Sequence, residues 1–228
     1  LAASFGRGIM TNHWIDIKNA DVILIMGSNA AENHPASFRW VLKAMEERGA
    51  KLIVVDPRVT RSASMASLYA PLRPGTDLAF LGGMINYALE KDRIQREYVL
   101  EYTNASYLVN PDYSFNDGLF SGYDAAKRSY GDRTTWTYQV DSKNIPRRDK
   151  TLKDPRCVYQ LMKAHYSRYT PEKVEAITGC PKETFLKVAE LFTSTHKPDR
   201  VATIMYAMGT TQHTVGTQNI RAYAILQL

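Results

Sequence analysis

Apolar positions along the chain fall into short unbroken runs that alternate with longer stretches of helical period. Residues 21–26 (Asp-Val-Ile-Leu-Ile-Met) and 51–56 (Lys-Leu-Ile-Val-Val-Asp) are runs too short for helices, the pattern of strands covered on both faces. Between them, 36–48 carries Phe38, Val41, Leu42 and Met45 at helical spacing, and Gly49 supplies a stop. Strand, helix and strand in that order predict a right-handed βαβ unit. A third short strand follows at 68–71, then helices at 78–90 and 95–102. From 104 to 155 no period is sustained, and the stretch is rich in Tyr, Asp and Gly. Beyond it the spacing predicts a helix over 156–168, a short helix capped by Thr170 with Pro171 at its first position, and another opened by Pro181 and running to about 195. A buried strand at 201–206 and a helix at 215–228 complete the pattern. The fold class is therefore α/β, a Rossmann-like parallel sheet with a long irregular insertion. Residues 1–103 form its first part, 104–155 the aromatic-rich insertion and 156–228 the remainder.

Each predicted strand ends in a polar turn, and a parallel sheet brings those ends to one edge. The first run leads into Gly27-Ser28-Asn29-Ala30-Ala31-Glu32-Asn33-His34-Pro35, the last into Ala207-Met208-Gly209-Thr210-Thr211-Gln212-His213-Thr214. Ligands of open α/β sheets bind at the carboxyl ends of strands, where the following helix directs unpaired N–H groups and the positive end of its dipole. Gly27 and Asn29 tolerate the backbone of a tight turn, and Asn29, Glu32, Asn33 and His34 crowd polar groups around it. Asp56 ends the second strand, where such sheets hold a ribose or a base edge, and Arg58 beside it can pair with phosphate. Asp77, after Gly75 and Thr76, can accept two hydrogen bonds at once from a guanine-type pair of N–H groups. The competing reading is structural, since Thr76 or Asp77 also suits a helix N-cap.

Composition narrows the classes. With 228 residues, 44% of them hydrophobic, and a mean hydropathy of -0.34, the chain reads as a globular domain without a membrane span. The net charge of +6 is scattered rather than striped, which disfavours a nucleic-acid surface and suits an anionic ligand or an acidic partner. Cys157 and Cys180 form no C-x-x-C pair, so this stretch alone builds no iron–sulfur or zinc cluster. His13, His34, His165, His196 and His213 are too dispersed for a local metal site, so no metal ligand is assigned. No triad order or carboxylate pair marks a catalytic centre, and the first turn lacks the G-x-G-x-x-G of a conventional NAD site. Leu1 is not an initiator Met, 1–10 is not signal-like, and the final helix stops without Gly, Asn or Pro; the chain reads as an internal piece of a longer one. The residues by themselves reach a nucleotide-binding α/β domain.

Four motifs in register extend that reading: the Gly27 to Pro35 turn, Val54-Val55-Asp56-Pro57-Arg58-Val59-Thr60-Arg61, Leu72-Arg73-Pro74-Gly75-Thr76-Asp77 and Met208-Gly209-Thr210-Thr211-Gln212-His213-Thr214-Val215-Gly216. In order and spacing they resemble the large subunits of the molybdopterin oxidoreductase superfamily. Phe5-Gly6-Arg7-Gly8, Thr11-Asn12-His13-Trp14, Gly118-Leu119-Phe120-Ser121-Gly122-Tyr123-Asp124 and Asp154-Pro155-Arg156-Cys157-Val158-Tyr159-Gln160 resemble the catalytic subunit of formate dehydrogenases of the respiratory or periplasmic type. The resemblance covers essentially the whole chain, with Ala30 standing where the family's turn often has Pro.

The resemblance implies part of a larger multidomain subunit that oxidises formate to CO2 at a bis-molybdopterin guanine dinucleotide (bis-MGD) centre carrying tungsten or molybdenum. This chain would hold one of the two dinucleotides. Gly27, Asn29, Glu32, Asn33 and His34, with Met208, Gly209, Thr211, Gln212 and His213, would lie along the pterin and pyrophosphate. Asp56, Arg58, Gly75 and Asp77 would hold the guanosine end, and Thr60 and Arg73 complete the set. No catalytic residue falls within the segment: the metal-ligating selenocysteine or cysteine with its His is expected before Leu1, and the catalytic Arg after Leu228. A [4Fe-4S] cluster elsewhere in the subunit, an iron–sulfur (beta) electron-transfer subunit and a periplasmic location are likewise implied. Tyr107, Tyr113, Phe115, Phe120, Tyr123, Tyr130, Trp136 and Tyr138 are expected to pack on that partner or on the rest of the large subunit. The alternatives are another enzyme of the superfamily, such as a nitrate or polysulfide reductase, against which the insertion motif argues, a non-catalytic nucleotide-binding module, or an NAD-dependent dehydrogenase.

Overall fold

The computed structural model describes residues 6, 8, 10–116 and 118–228, so Phe5 and Arg7 of the opening motif lie outside the described residues. Four parallel strands, β1 (Val22–Met26), β2 (Lys51–Val55), β3 (Leu68–Ala70) and β4 (Ala202–Tyr206), form one sheet in the order β3-β2-β1-β4. Ile23 and Leu24 of β1 pair with Leu52 and Ile53 of β2 on one side and with Thr203 and Ile204 of β4 on the other. Both central strands are buried from Val22 to Met26 and from Leu52 to Val55, as their unbroken apolar runs require.

The pleat sends alternate side chains to opposite layers. Ile23, Ile25, Leu52 and Val54 join one buried cluster with Phe38, Val41 and Ala44 of helix α2 (Pro35–Arg48), and with Ile17 of a 3-10 helix (Trp14–Asn19) that packs on α2. Leu42, assigned above to that apolar stripe, is instead exposed; Ala44 takes the core position, and Met45 is partly buried. Gly49 ends α2 in the left-handed conformation. The 3-10 helix was not foreseen. It is held by a capping box in which the His13 ring accepts from the Ile15 N–H and Asp16 accepts from the His13 N–H.

The opposite layer holds α4 (Asp77–Glu90), α5 (Pro171–Thr178), α6 (Lys182–Thr193) and α8 (Gly216–Gln227). Phe80 of α4 meets Phe185 of α6 edge to face at 5.2 Å, both fully buried, and α6 packs on β1 and β3. As expected, Thr170 caps α5 by accepting from the Lys173 N–H, with Pro171 at the first position. The turns after β1 and β4 are not open loops. Each contains one helical turn, α1 (Ala30–Asn33) and α7 (Met208–Thr211), and a third, α3 (Arg61–Ser64), lies between β2 and β3. Such short elements leave no period to read. Among the described residues no helix is long and apolar enough to cross a membrane.

Residues 1–95 with 166–228 form one compact unit and residues 96–165 a second. The second begins with a helix (Arg96–Tyr102), carries two hairpins of two-residue arms, and is tied by isolated bridges such as Leu108 to Cys157 and Val109 to Tyr138. Its helix starts at Val158, two residues later than expected, because Asp154 closes a turn by accepting from the Arg156 N–H.

Candidate cofactor-binding site

The chain runs β1, β2, β3 to one side and then returns to place β4 on the other side of β1, so the strand order reverses between β1 and β4. A ligand crevice forms at such a point, outside the carboxyl ends. Here two glycines meet. Gly27 sits at φ 65, and a Cβ on it would lie 2.5 Å from Thr210 Cγ2 and 2.7 Å from the Thr210 N. A Cβ on Gly209 would lie 2.6 Å from the Gly27 carbonyl oxygen, which accepts the Gly209 N–H at 3.0 Å. The two turns thus touch through bare backbone, a contact that only glycine at both positions permits.

The Gly209 contact carries His213 with it. The His213 Nε2 lies 2.7 Å from the Gly209 carbonyl and 3.9 Å from Asp77 Oδ2, so the last turn reaches across to the start of α4. Asp77 is 6% exposed, and burial raises its carboxyl above the ordinary value, opposed by its own backbone N–H and by His213 and reinforced by Asp56. Thr76, not Asp77, occupies the N-cap position, and its hydroxyl donates to the Arg73 carbonyl rather than capping. The competing reading of a side-chain cap is therefore not what is found: Asp77 is a buried carboxylate in the first turn, where the dipole favours its charge. Tyr223 lies within electrostatic reach of Asp77 and stacks on Tyr206 at 5.1 Å. Burial pushes the Tyr223 hydroxyl well above its usual value; the Thr210 hydroxyl pulls it partly back but makes no hydrogen bond of good geometry with it.

The other sequence-derived residues divide by what their side chains already hold. Asn29 accepts from both the N–H and the hydroxyl of Ser62 and donates to Glu32, and the Ala31 N–H donates to the Ser62 hydroxyl. Part of the first turn's donor set is thus spent on tying β1's end to α3. Asn33 bonds His34, which stacks on Trp14 at 5.2 Å. Asp56 closes a turn by accepting from the Arg58 N–H, and its carbonyl accepts from the Tyr69 hydroxyl. Thr60 caps α3, and Arg73 donates to the carbonyls of Ala176 and Ile177 at the end of α5. Met208, Gln212 and Arg58 are exposed, and Thr211 is half-buried. Gly75 faces the His213 ring, whose Nδ1 would lie 4.0 Å from an added Cβ. Gly27, Gly75, Asp77, Gly209 and His213 are therefore brought together. Ser62 and Tyr223 were not foreseen: each acts through a contact distant in sequence, and neither stands in a local pattern.

A model of the molybdopterin oxidoreductase family matches residues 3–228. The chain belongs to this family. Across all 228 residues it is 58% identical to the major subunit of the nitrate-inducible formate dehydrogenase of Escherichia coli, of which it spans 22%. It is also 58% identical to the formate dehydrogenase alpha subunit of Megalodesulfovibrio gigas, again spanning 22%, and 52% identical to the formate dehydrogenase 2 alpha subunit (cytochrome c-553) of Nitratidesulfovibrio vulgaris. Among solved structures, acetylene hydratase from Pelobacter acetylenicus aligns with a TM-score of 0.59 at 26% identity, over 91% of this chain and 21% of that one. A molybdopterin oxidoreductase fold thus also serves a hydratase, and fold alone does not choose the reaction. Membership of the family implies a molybdopterin cofactor. The structure is compatible with such a group: the buried Asp77 carboxylate is met by its own backbone N–H, with the His213 Nε2 at 3.9 Å and room for further donors, and the Gly27–Gly209 contact is closed to any Cβ.

Proposed function

We propose that this chain is the portion of a formate dehydrogenase catalytic subunit that holds one guanine dinucleotide of a bis-MGD cofactor. The observation that carries the substrate class is the 52–58% identity, end to end, to formate dehydrogenase major and alpha subunits. That favours formate over the substrates of a nitrate or polysulfide reductase. When bound, the tungsten or molybdenum centre supplies the two-electron redox chemistry that takes formate to CO2 and a proton. This chain's residues position rather than react. Asp77 accepts the two N–H groups of a guanine edge, a pairing adenine cannot offer, and the desolvation that raises its carboxyl is offset by those donors. Asp56 receives the ribose hydroxyls, and exposed Arg58 meets phosphate. The Gly27 and Gly209 backbones form the floor on which the pyrophosphate lies. The metal ligand and the catalytic Arg belong to flanking sequence, and electrons leave through iron–sulfur clusters outside these residues.

The test is the composition and activity of the purified intact protein. The proposal expects tungsten or molybdenum with two guanine nucleotides per polypeptide, together with formate oxidation. A protein with neither metal nor guanine nucleotide, or a metal-loaded one that reduces nitrate and leaves formate untouched, sinks it. Residues 1–228 alone should turn over no formate.

A further inference from the structure

Helix α8 carries polar side chains on the face it buries against α7. Interior helix faces are apolar as a rule, yet Asn219 and Thr210 are fully buried and Tyr223, one turn beyond Asn219, nearly so. The helix starts tightly against the α7 turn: the Gly216 N–H donates to the His213 carbonyl at 2.9 Å, and a Cβ on Gly216 would collide with the Thr211 carbonyl oxygen. From the next turn of α8 the Asn219 side-chain amide reaches back nine residues to donate to the Thr210 carbonyl at 3.0 Å. The Asn219 oxygen, by contrast, has no hydrogen-bond partner among the described residues. An unpaired buried acceptor is a cost that an apolar side chain of the same size avoids, so what asparagine contributes here is its donor to Thr210.

That donor matters because of what Thr210 touches. Its backbone N and its Cγ2 are the atoms against which Gly27 is pressed, and the neighbouring Gly209 N–H donates to the Gly27 carbonyl at 3.0 Å. The α7 turn is four residues long, too short to keep its shape by its own hydrogen bonds. The Thr210 hydroxyl donates to the Ala207 carbonyl at 3.2 Å, which closes the turn on itself without fixing where it lies against β1. Because α8 packs on α4, an amide anchored in α8 ties the turn to a rigid layer. We infer that Asn219 is a positioning residue for the cofactor site: by holding the Thr210 carbonyl it keeps the Gly209 backbone against Gly27 before the dinucleotide arrives, so that the floor under the pyrophosphate is pre-organised. Asn219 lies buried behind the turn and acts through Thr210. The inference rests on the reading of the Gly27–Gly209 floor as a dinucleotide site.

Asn219→Leu in the intact protein keeps the side chain's volume and removes the donor; Asn219→Ala removes it without new bulk and replaces the first variant if that one does not accumulate. Val41→Ala, fully buried in the opposite layer, is the control for a loss of packing alone. In the cofactor-free form, the Gly209 amide is expected to exchange with solvent about tenfold faster or more in the Asn219 variant than in Val41→Ala, with the β1 amides alike in both. In the loaded form, guanine nucleotide is expected to leave the Asn219 variant about tenfold faster than the control, roughly the worth of one hydrogen bond, each protein being held the same interval below its own melting temperature. A Gly209 amide as slow as in the control, or release no faster than from it, overturns the inference and leaves Asn219 a packing residue. Wild-type protein that carries no guanine nucleotide removes the reading of the floor on which the inference rests, whereas a loaded wild type with indifferent Asn219 variants removes the inference alone.

Discussion

The sheet unit and the 96–165 unit solve the same problem with different materials. In the first, backbone groups are satisfied by ladders and helices, and cohesion comes from fully buried side chains such as Ile23, Leu24, Phe80 and Phe185. In the second, aspartates do much of the backbone's work. Asp149 alone accepts from the N–H of Thr151, Lys153 and Asp154 and from the Thr151 hydroxyl; Asp124, Asp132 and Asp141 close turns in the same manner. Its rings pack against one another while Phe120 and Trp136 stay exposed: Phe115 on Phe120 at 4.9 Å, Phe120 on Trp136 at 5.2 Å, Tyr130 on Trp136 at 5.1 Å. Arg148 lies over Tyr107 and donates to its hydroxyl. The first unit is held mainly by burial, with Glu172 paired to Lys182 on its surface; the second leans on a larger set of turn-closing carboxylates.

The largest effect is expected where the sheet unit has no slack. Gly27→Ala must separate two backbones already in contact and hold Ala at φ 65. It should cost about 4 kcal/mol or more, measured by denaturant unfolding of the intact protein. A change below about 1 kcal/mol would show that the two turns do not touch as described. Next, Phe185→Ala should cost about 3–5 kcal/mol, because Phe185 is fully buried. Phe120→Ala removes a ring that is 37% exposed and should cost about 1 kcal/mol. Equal losses at the two positions would erase the contrast between the units.

Acid provides the smallest but most selective probe. The Thr151 hydroxyl, then the Asp154 and other amides, hold Asp149 at about 2 against the usual 3.8. A carboxyl depressed by folding contributes stability that is present above 3.8 and lost as pH falls toward 2. For so exposed a group this is about 1 kcal/mol or less once solvent screening is allowed for. Asp132 and Asp141 shift in the same direction. Asp77 shifts oppositely: its raised carboxyl favours the fold when protonated and costs stability as pH rises past the ordinary carboxylate value. Proteolysis or hydrogen exchange followed from pH 5 down to about 2 should open 96–165 first. Glu172 of the sheet unit is also held at about 2, by Lys182, but as one exposed pair beside the several aspartates of 96–165; earlier opening of the sheet unit would contradict the assignment of most carboxylate charge to 96–165 and of burial to the sheet unit.

Patterns with enough length to show a period were legible. The runs in β1 and β2, the stripe of Phe38 and Val41, and the Thr170-Pro171 helix start each rest on neighbours in sequence, and each is found where the spacing put it. The polar turns at strand ends were legible as places, and Asp77 and His213 as chemistry. Contacts that join distant segments were not. Nothing near Asn29 announces Ser62, nothing near Gly27 announces Gly209, and Thr60 and Arg73 gave no sign that α3 and α5 would engage them. Leu42 shows the same limit from the other side, since a stripe one residue too wide in sequence is narrowed by what packs against it.

The central claim is that Asp77 reads the guanine end of a dinucleotide at the sheet's carboxyl edge. Asp77→Asn in the intact protein keeps the side chain's size while placing a donor against a guanine donor, a mismatch of about 1–3 kcal/mol, or up to about a hundredfold in affinity. Guanine nucleotide and metal content should be measured beside the thermal stability of the cofactor-free form. The account predicts low occupancy with stability lowered by no more than the helix-dipole contribution of about 1 kcal/mol. Full occupancy in the variant would show that Asp77 serves only the start of its helix.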